Sequence, residues 1–312
     1  MKHAFFTLTM VWLLINQISA QPFFGKYTLL IDHWKFRLET ENEDNLLKKT
    51  DYSNWRDVTL PHDWSVEGPY SPDKASATGY LPGGMGWYAK ELIIPIEKKG
   101  EKVYLYFEGV YNRSKVYLNG HLVGGRPNGY IPFLCDLTPY VKYGSVNEVK
   151  VQVDHTRYND SRWYTGSGIY RDVYLVYANR VHSSLWGTYC KVEKSSKKQA
   201  DFLISTSLEN ESSHKATVEI QLELKRKEDG KIVGSSSKKI EIAAGDSLDC
   251  KQKIRISNPE FWSIKSPKLY MLISHIYVDG KLTETNQVAT GIRHLTFDAN
   301  KGFALNGEWI KL

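Results

Sequence analysis

The chain has 312 residues, 41% hydrophobic and 24% charged, enough for two ordinary domains with real cores. Its net charge is +6, but much of the lysine lies between Lys191 and Lys253, interleaved with apolar strand residues. With no basic stripe carrying stacking aromatics, a nucleic-acid partner is not expected. Cys135, Cys190 and Cys250 are odd in number and far apart, which excludes a disulfide framework and a paired-ligand zinc site; each is expected to be buried packing, although one disulfide stays possible in an oxidising compartment.

Lys2 and His3 precede an uncharged apolar run from Ala4 to Ile15, and Ile18-Ser19-Ala20 closes it on a small residue. A secretory signal over residues 1–20, cleaved after Ala20, is expected. The run is shorter than the roughly 20 residues a membrane span needs, and no later segment is long enough. The protein is therefore expected to be exported, to the periplasm or the extracellular space, with no membrane span.

A first domain is read over 26–179. Val103-Tyr104-Leu105-Tyr106-Phe107 has the density of a strand buried on both faces, and Asn119-Gly120 between Val116 and Val123 signals a tight hairpin. In Asn147 to Asp154 three valines share one face, while Glu148, Lys150, Gln152 and Asp154 share the other, polar and expected to be solvated. Long loops fall at Glu67 to Met85 and His155 to Ser167, the kind of segment that carries binding surfaces on a sandwich.

A second domain is read over 181–292. Phe202, Ile204, Thr206 and Leu208 alternate with polar neighbours, as do Val218, Ile220, Leu222 and Leu224. Leu248, Cys250, Ile254 and Ile256 alternate with an imperfect middle, and Asp279-Gly280 marks a turn. Roughly seven short strands over this length read as an immunoglobulin-like sandwich, without the Cys–Trp–Cys core of antibody domains. In the tail, residues 293–312, Asn306-Gly307 separates Phe303-Ala304-Leu305 from Trp309-Ile310-Lys311-Leu312.

Five motifs stand in one order: Leu60-Pro61-His62-Asp63-Trp64, then Gly83 to Lys90, then Phe107 to Gly120 with Gly129 to Phe133, then Arg162 to Leu175 containing Gly166-Ser167-Gly168-Ile169-Tyr170-Arg171-Asp172-Val173, then Gly291-Ile292-Arg293 with Phe303 to Leu312. Each alone is weak. Together they resemble the N-terminal region of glycoside hydrolase family 2, the family of β-galactosidases, β-glucuronidases and β-mannosidases, and most of all its exported bacterial β-galactosidase branch. The resemblance implies an all-β chain: a jelly-roll-like, sugar-binding sandwich, an immunoglobulin-like sandwich, and a short C-terminal stump leading toward an absent (β/α)8 barrel.

Family members are retaining enzymes with two glutamates about 5 Å apart, both on that barrel. Neither carries over to this chain, which is expected to be inactive alone. Glu67, Glu91, Glu108 and Glu148 are no substitutes, Glu91 and Glu148 being read as solvated strand positions. The resemblance does imply a contribution to the sugar subsite from the loop after the Val-x-Val strand: Asp154, or Asp160 in its place, with Arg162 and Trp163 shaping the same wall. A carboxylate suits vicinal sugar hydroxyls; the competing role for each aspartate is capping a turn beside Thr156 or Ser161. For Arg162 and Trp163 it is pairing and packing. No catalytic residue, metal or cofactor is assigned. The expected partners are a β-galactoside-type glycan and a catalytic barrel domain, if that is encoded separately. A free-standing carbohydrate-binding protein and a β-glucuronidase or β-mannosidase specificity are the competing readings.

Gly166-Ser167-Gly168 is not read as a nucleophile elbow, nor Gly83-Gly84-Met85-Gly86 as a phosphate loop. His62 reads as a packed turn histidine. Asn112-Arg113-Ser114 and Asn210-Glu211-Ser212 match glycosylation acceptors.

Overall fold

The computed structural model describes residues 24–38, 47, 51–157 and 163–311. The expected signal at 1–20 lies outside them. The named elements of the described chain are strands and short turns of 3-10 helix, with Leu47 alone helical outside them, and no helix among its described residues is long and apolar enough to cross a membrane.

Residues 24–178 form a sandwich of two antiparallel sheets. The larger has the order Arg56–Val58, Trp34–Leu38, Gly84–Ile93, Val146–His155, Ser114–Leu118, His121–Arg126. The smaller has the order Lys26–Leu29, Val173–Ala178, Lys102–Phe107, Phe133–Asp136. The three valines at 149, 151 and 153 pack inward against Trp34, Phe36, Leu105, Phe107 and Leu118. Lys102–Phe107 is buried along its whole length, as its sequence density requires. Asn119 and Gly120 turn the hairpin with φ of 52° and 84°, the left-handed pair a two-residue turn needs.

The outer face of Val146–His155 is not solvated. Lys150 and Gln152 are buried, beneath a second layer in which Tyr52 and Trp55 pack with Trp87 and Tyr117. Glu148, expected in water, instead accepts from the Tyr52 hydroxyl and pairs with the Lys150 ammonium at 3.0 Å. Alternation fixes which residues share a face; it carries no information about a chain segment that later covers that face. Glu91 is exposed and Glu108 buried.

The second sandwich packs Val181–Ser195, Gln199–Asn210 and Ser247–Ser257 against Ile232–Ile242, Ala216–Arg226, Tyr270–Val278 and Lys281–Thr290. Phe202, Ile204, Leu208, Val218, Ile220, Leu222 and Leu224 form its core as their period-2 spacing predicts. The imperfect middle of Ser247–Ser257 is filled by Gln252, buried and bonded to Ser236 Oγ and the Ile220 carbonyl. Leu248 is exposed, so the buried run begins at Cys250. The tail adds a small sheet, Leu295–Asp298, Gly302–Leu305 and Glu308–Ile310, turned at Asn306-Gly307. All three cysteines are free thiols; Cys135 and Cys250 are buried and Cys190 partly so.

A polar brace joins the sandwiches. Lys102 Nζ lies 2.7 Å from Asp136 Oδ2 and 2.7 Å from Glu211 Oε1. The Tyr104 hydroxyl donates to Glu211 Oε2 at 2.7 Å, and His182 Nε2 meets the same oxygen at 3.1 Å. Phe24 covers the group, its ring 5.7 Å from Tyr104 and 5.4 Å from His182.

Candidate functional site

The loop end of the first sandwich is where the sequence motifs meet. Pro61-His62-Asp63-Trp64 docks onto Gly166-Ser167-Gly168-Ile169 through two backbone bonds, His62 N to Ile169 O at 2.8 Å and Trp64 N to Ser167 O at 3.1 Å. Asp63 clamps the pair from its side chain: Oδ1 accepts from the amides of Ser65 and Ser167, and Oδ2 from the Tyr164 hydroxyl. Both flanking glycines are required. A Cβ on Gly166 would lie 2.8 Å from Asp63 Oδ2, and one on Gly168 would lie 2.2 Å from the Tyr88 hydroxyl. Both positions also have positive φ.

Two histidines are locked into this junction. Arg56 offers only donors, so His62 Nε2 accepts from it at 2.9 Å, and Nδ1–H is left to donate to the Tyr88 hydroxyl at 2.6 Å. Burial lowers the His62 pKa, against the opposite pull of the Glu67 carboxylate 3.3 Å from Nε2. His155 begins a chain of hydroxyls. Ser65 Oγ donates to the Pro82 carbonyl, so it accepts from Ser167 Oγ, which in turn accepts from His155 Nδ1 at 2.6 Å. Ser167 therefore touches a histidine, as a nucleophile would. Its proton is committed to Ser65, however, and the residue is fully buried; this Ser–His pair holds loops together.

Asp154 is the next-to-last residue of the strand Val146–His155, opposite Met85. Its Oδ1 accepts from Thr156 N at 3.0 Å and Thr156 Oγ1 at 2.7 Å, the turn-capping arrangement. Arg113 grips the carboxylate from the side, Nε to Oδ2 at 3.2 Å and Nη2 to Oδ1 at 3.4 Å. Partial burial alone would raise the Asp154 pKa; the bonds from Arg113 and Thr156 outweigh it and hold the group below the usual carboxylate range. The side chain keeps 27% of its surface open. Each carboxylate oxygen has two lone pairs, and among the described residues Oδ2 is bonded by Arg113.

Trp163 stands on the same end of the sandwich, 62% exposed, its Nε1 donating to the Tyr130 hydroxyl at 3.1 Å. Asp160 and Arg162 lie outside the described residues. Arg113 is the residue that sequence reasoning missed. It sits in Asn112-Arg113-Ser114, whose local reading was a glycosylation acceptor. Asn112 is in fact 7% exposed, and Asn210 is buried with its amide donating to three carbonyls, so neither side chain is presented for modification.

His182, Glu209 and Glu211 bring ligand atoms within 4.8 Å of one another. The Glu211 carboxylate is already taken by the Lys102 ammonium and the Tyr104 hydroxyl. A cation there would have to displace Lys102, so the donor set fits a brace better than a metal.

The chain is thus a ten-stranded sandwich, whose loop end gathers polar and aromatic side chains, followed by an immunoglobulin-like sandwich. Residues 29–179 match the model for "Glycosyl hydrolases family 2, sugar binding domain", and residues 184–293 match that for "Glycosyl hydrolases family 2". The chain is 38% identical over 262 residues to the β-galactosidase BoGH2A of Bacteroides ovatus, covering 83% of this chain and 31% of that protein. It is 30% identical to a β-glucuronidase of Formosa agariphila, over 92% of this chain and 31% of that protein. Among solved structures, a family 2 member from Bacteroides cellulosilyticus superposes with a TM-score of 0.86 at 29% identity, over 92% of this chain and 38% of that one. The chain belongs to glycoside hydrolase family 2 and corresponds to the N-terminal region of its members, about a third of the length of the relatives it matches.

Proposed function

We propose that the chain is the non-catalytic N-terminal region of an exported β-glycosidase acting on β-galactosides in carbohydrate metabolism. In this reading its loop end forms one wall of the sugar subsite, and a catalytic barrel supplies the acid/base and nucleophile glutamates. The observation that carries the reading is Asp154: a carboxylate held below the usual range by Arg113 and Thr156 and partly exposed at the loop end. Preorganised acceptors of this kind stabilise a sugar hydroxyl without reorganising at the moment of reaction. The stronger identity to a β-galactosidase than to the β-glucuronidases supports galactoside as the substrate. Residues 1–20 are the export signal in this reading.

The test is a fusion of this chain to the barrel of a close relative, assayed on nitrophenyl β-galactoside, β-glucuronide and β-mannoside, beside the chain alone. The expected outcome is turnover of the galactoside by the fusion and none by the chain alone. Preference for the glucuronide or mannoside would replace the substrate. A fusion that folds yet turns over none of the three, while the chain alone binds glycan, would favour a free-standing carbohydrate-binding protein.

A further inference from the structure

The joint between the sandwiches holds a second contact besides the polar brace. The strand Val181–Ser195 pairs Ser183 with Leu208 and Thr188 with Thr206, so Ser184, Leu185, Trp186 and Gly187 stand opposite Ser207 alone. A bulge of this kind re-aims the side chains it carries. Its foot is fixed in the second sandwich. Ser183 N and Oγ both donate to the buried Glu284 carboxylate, and a Cβ on Gly187 would lie 2.8 Å from the Ser184 and Ser207 carbonyl oxygens. Its tip lies on the first sandwich. Leu185 packs on the outer face of the smaller sheet, where Tyr104, Tyr106, Tyr174 and Val176 form an apolar cluster separate from the inner core. The Trp186 ring meets Tyr106 edge-on with centroids 6.2 Å apart, and the indole, which can only donate, bonds the Tyr106 hydroxyl. Tyr106 is fully buried although it points away from the core of its own sandwich. Trp186 has a φ of 53°. A bulky residue adopts that left-handed backbone only where its surroundings hold it there, whereas glycine adopts it freely.

We propose that the bulge from Ser184 to Gly187 is a latch: Trp186, held in a strained backbone by its contact with Tyr106, joins the two sandwiches into one cooperative folding unit. Modules of one chain move and unfold independently unless the interface between them is extensive and apolar. Here the coupling runs both ways. The outer cluster of the smaller sheet stays dry while Leu185 and Trp186 cover it, so the first sandwich loses stability when the second unfolds. The bulge keeps its strained turn while Tyr106 holds the indole, so the second sandwich is tied to the first. The inference is independent of the sugar-subsite reading and stands whether or not Asp154 meets a sugar.

The test is amide hydrogen exchange, read by mass spectrometry on the purified chain across a urea series. Peptides over Lys102–Phe107 report the first sandwich and peptides over Gln199–Asn210 the second. In the parent both should lose protection at one shared midpoint. Trp186→Gly removes the ring and relieves the backbone. It should split the midpoints by about 0.5–1 M urea, with Lys102–Phe107 moving to lower urea while Gln199–Asn210 holds or rises. Trp186→Ala removes the ring and leaves the strain, so Gln199–Asn210 should open at lower urea than in Trp186→Gly. Tyr106→Phe keeps the buried ring, removes the bond to the indole and should give a smaller split. Two midpoints in the parent, or a shared midpoint in Trp186→Gly, would overturn the proposal. Equal Gln199–Asn210 midpoints in the Gly and Ala variants would overturn its claim of strain. Should Trp186→Gly fail to fold, Tyr106→Phe decides: a split supports the latch and a shared midpoint overturns it.

Discussion

In the second sandwich Phe202, Ile204, Leu208, Val218, Ile220, Leu222 and Leu224 build the core by simple alternation, and Gln252 shows how little is needed to repair a gap in it. The first sandwich has such a core too, but its loop end is held differently. Asp63, His62, His155, Ser65 and Ser167 bond to each other and to backbone groups far away in sequence. The difference is one of division of labour. Burial suffices where the sheet need only be stable. Directional bonds are added where loops must hold fixed positions, since buried polar groups tolerate few alternative arrangements.

If that contrast is right, the largest effect should come from disturbing the packed junction. Gly168→Ala places a methyl 2.2 Å from the Tyr88 hydroxyl and 2.7 Å from the His62 carbonyl, at a φ of 123°. A loss of about 3–5 kcal/mol is expected, read by urea unfolding. A wild-type midpoint would show that the junction yields cheaply and break the comparison. Leu222→Ala, in the core of the second sandwich, should cost about 2–5 kcal/mol by leaving a cavity. It should leave the Trp163 indole resonance unmoved; a shift there would mean the two sandwiches are not divided in this way.

Asp63→Ala sharpens the contrast further. It leaves the amides of Ser65 and Ser167 and the Tyr164 hydroxyl without their acceptor, for a loss of about 2–3 kcal/mol by thermal melting.

The brace between the sandwiches has its own pH signature. The bonds from His182, Lys102 and Tyr104 pull the Glu211 carboxyl down to about 2 from an ordinary 4.5. Its contribution is therefore present above 4.5 and lost as pH falls toward 2. Burial alone would lower the His182 pKa, but the bonds to Glu211 and the Ser183 carbonyl raise it above 6.5. That contribution is full below 6.5 and fades as pH rises through the raised value. Burial would lower the Lys102 pKa too, but the bonds to Asp136 and Glu211 together raise it, so it stays charged throughout. Stability from the brace should thus peak between about pH 4.5 and 6.5. Glu211→Gln should flatten that profile and cost about 1–2 kcal/mol at its maximum, since Glu211 is partly screened by solvent.

The strands were legible because their causes are local. Period-2 burial placed Val149, Val151 and Val153, and Asn-Gly or Asp-Gly pairs marked the turns at Asn119, Asp279 and Asn306. The covering of Lys150 was not legible, because Tyr52 and Trp55 come from a segment nearly a hundred residues away. The same limit applies at the site. Asp154 was reached from a motif and its strand end, and the Thr156 cap follows from sequence neighbours. The Arg113 grip crosses 41 positions and leaves no local mark. The Ser167–His155 contact was equally hidden, and only its burial shows that it is structural.

Asp154→Asn is the smallest change and the most informative one. In the barrel fusion it keeps the side chain's shape while weakening the bonds to Arg113 and to any sugar hydroxyl. The cap and the ion pair are worth about 1 kcal/mol to folding. The sugar contact should be worth about 1–3 kcal/mol in the transition state. Measuring kcat/KM on nitrophenyl β-galactoside together with Tm separates the two. The account predicts a fall in kcat/KM of about 5- to 150-fold with a shift of only a few degrees in Tm. An unchanged kcat/KM with a lowered Tm would contradict it, and would make Asp154 a turn cap and nothing more.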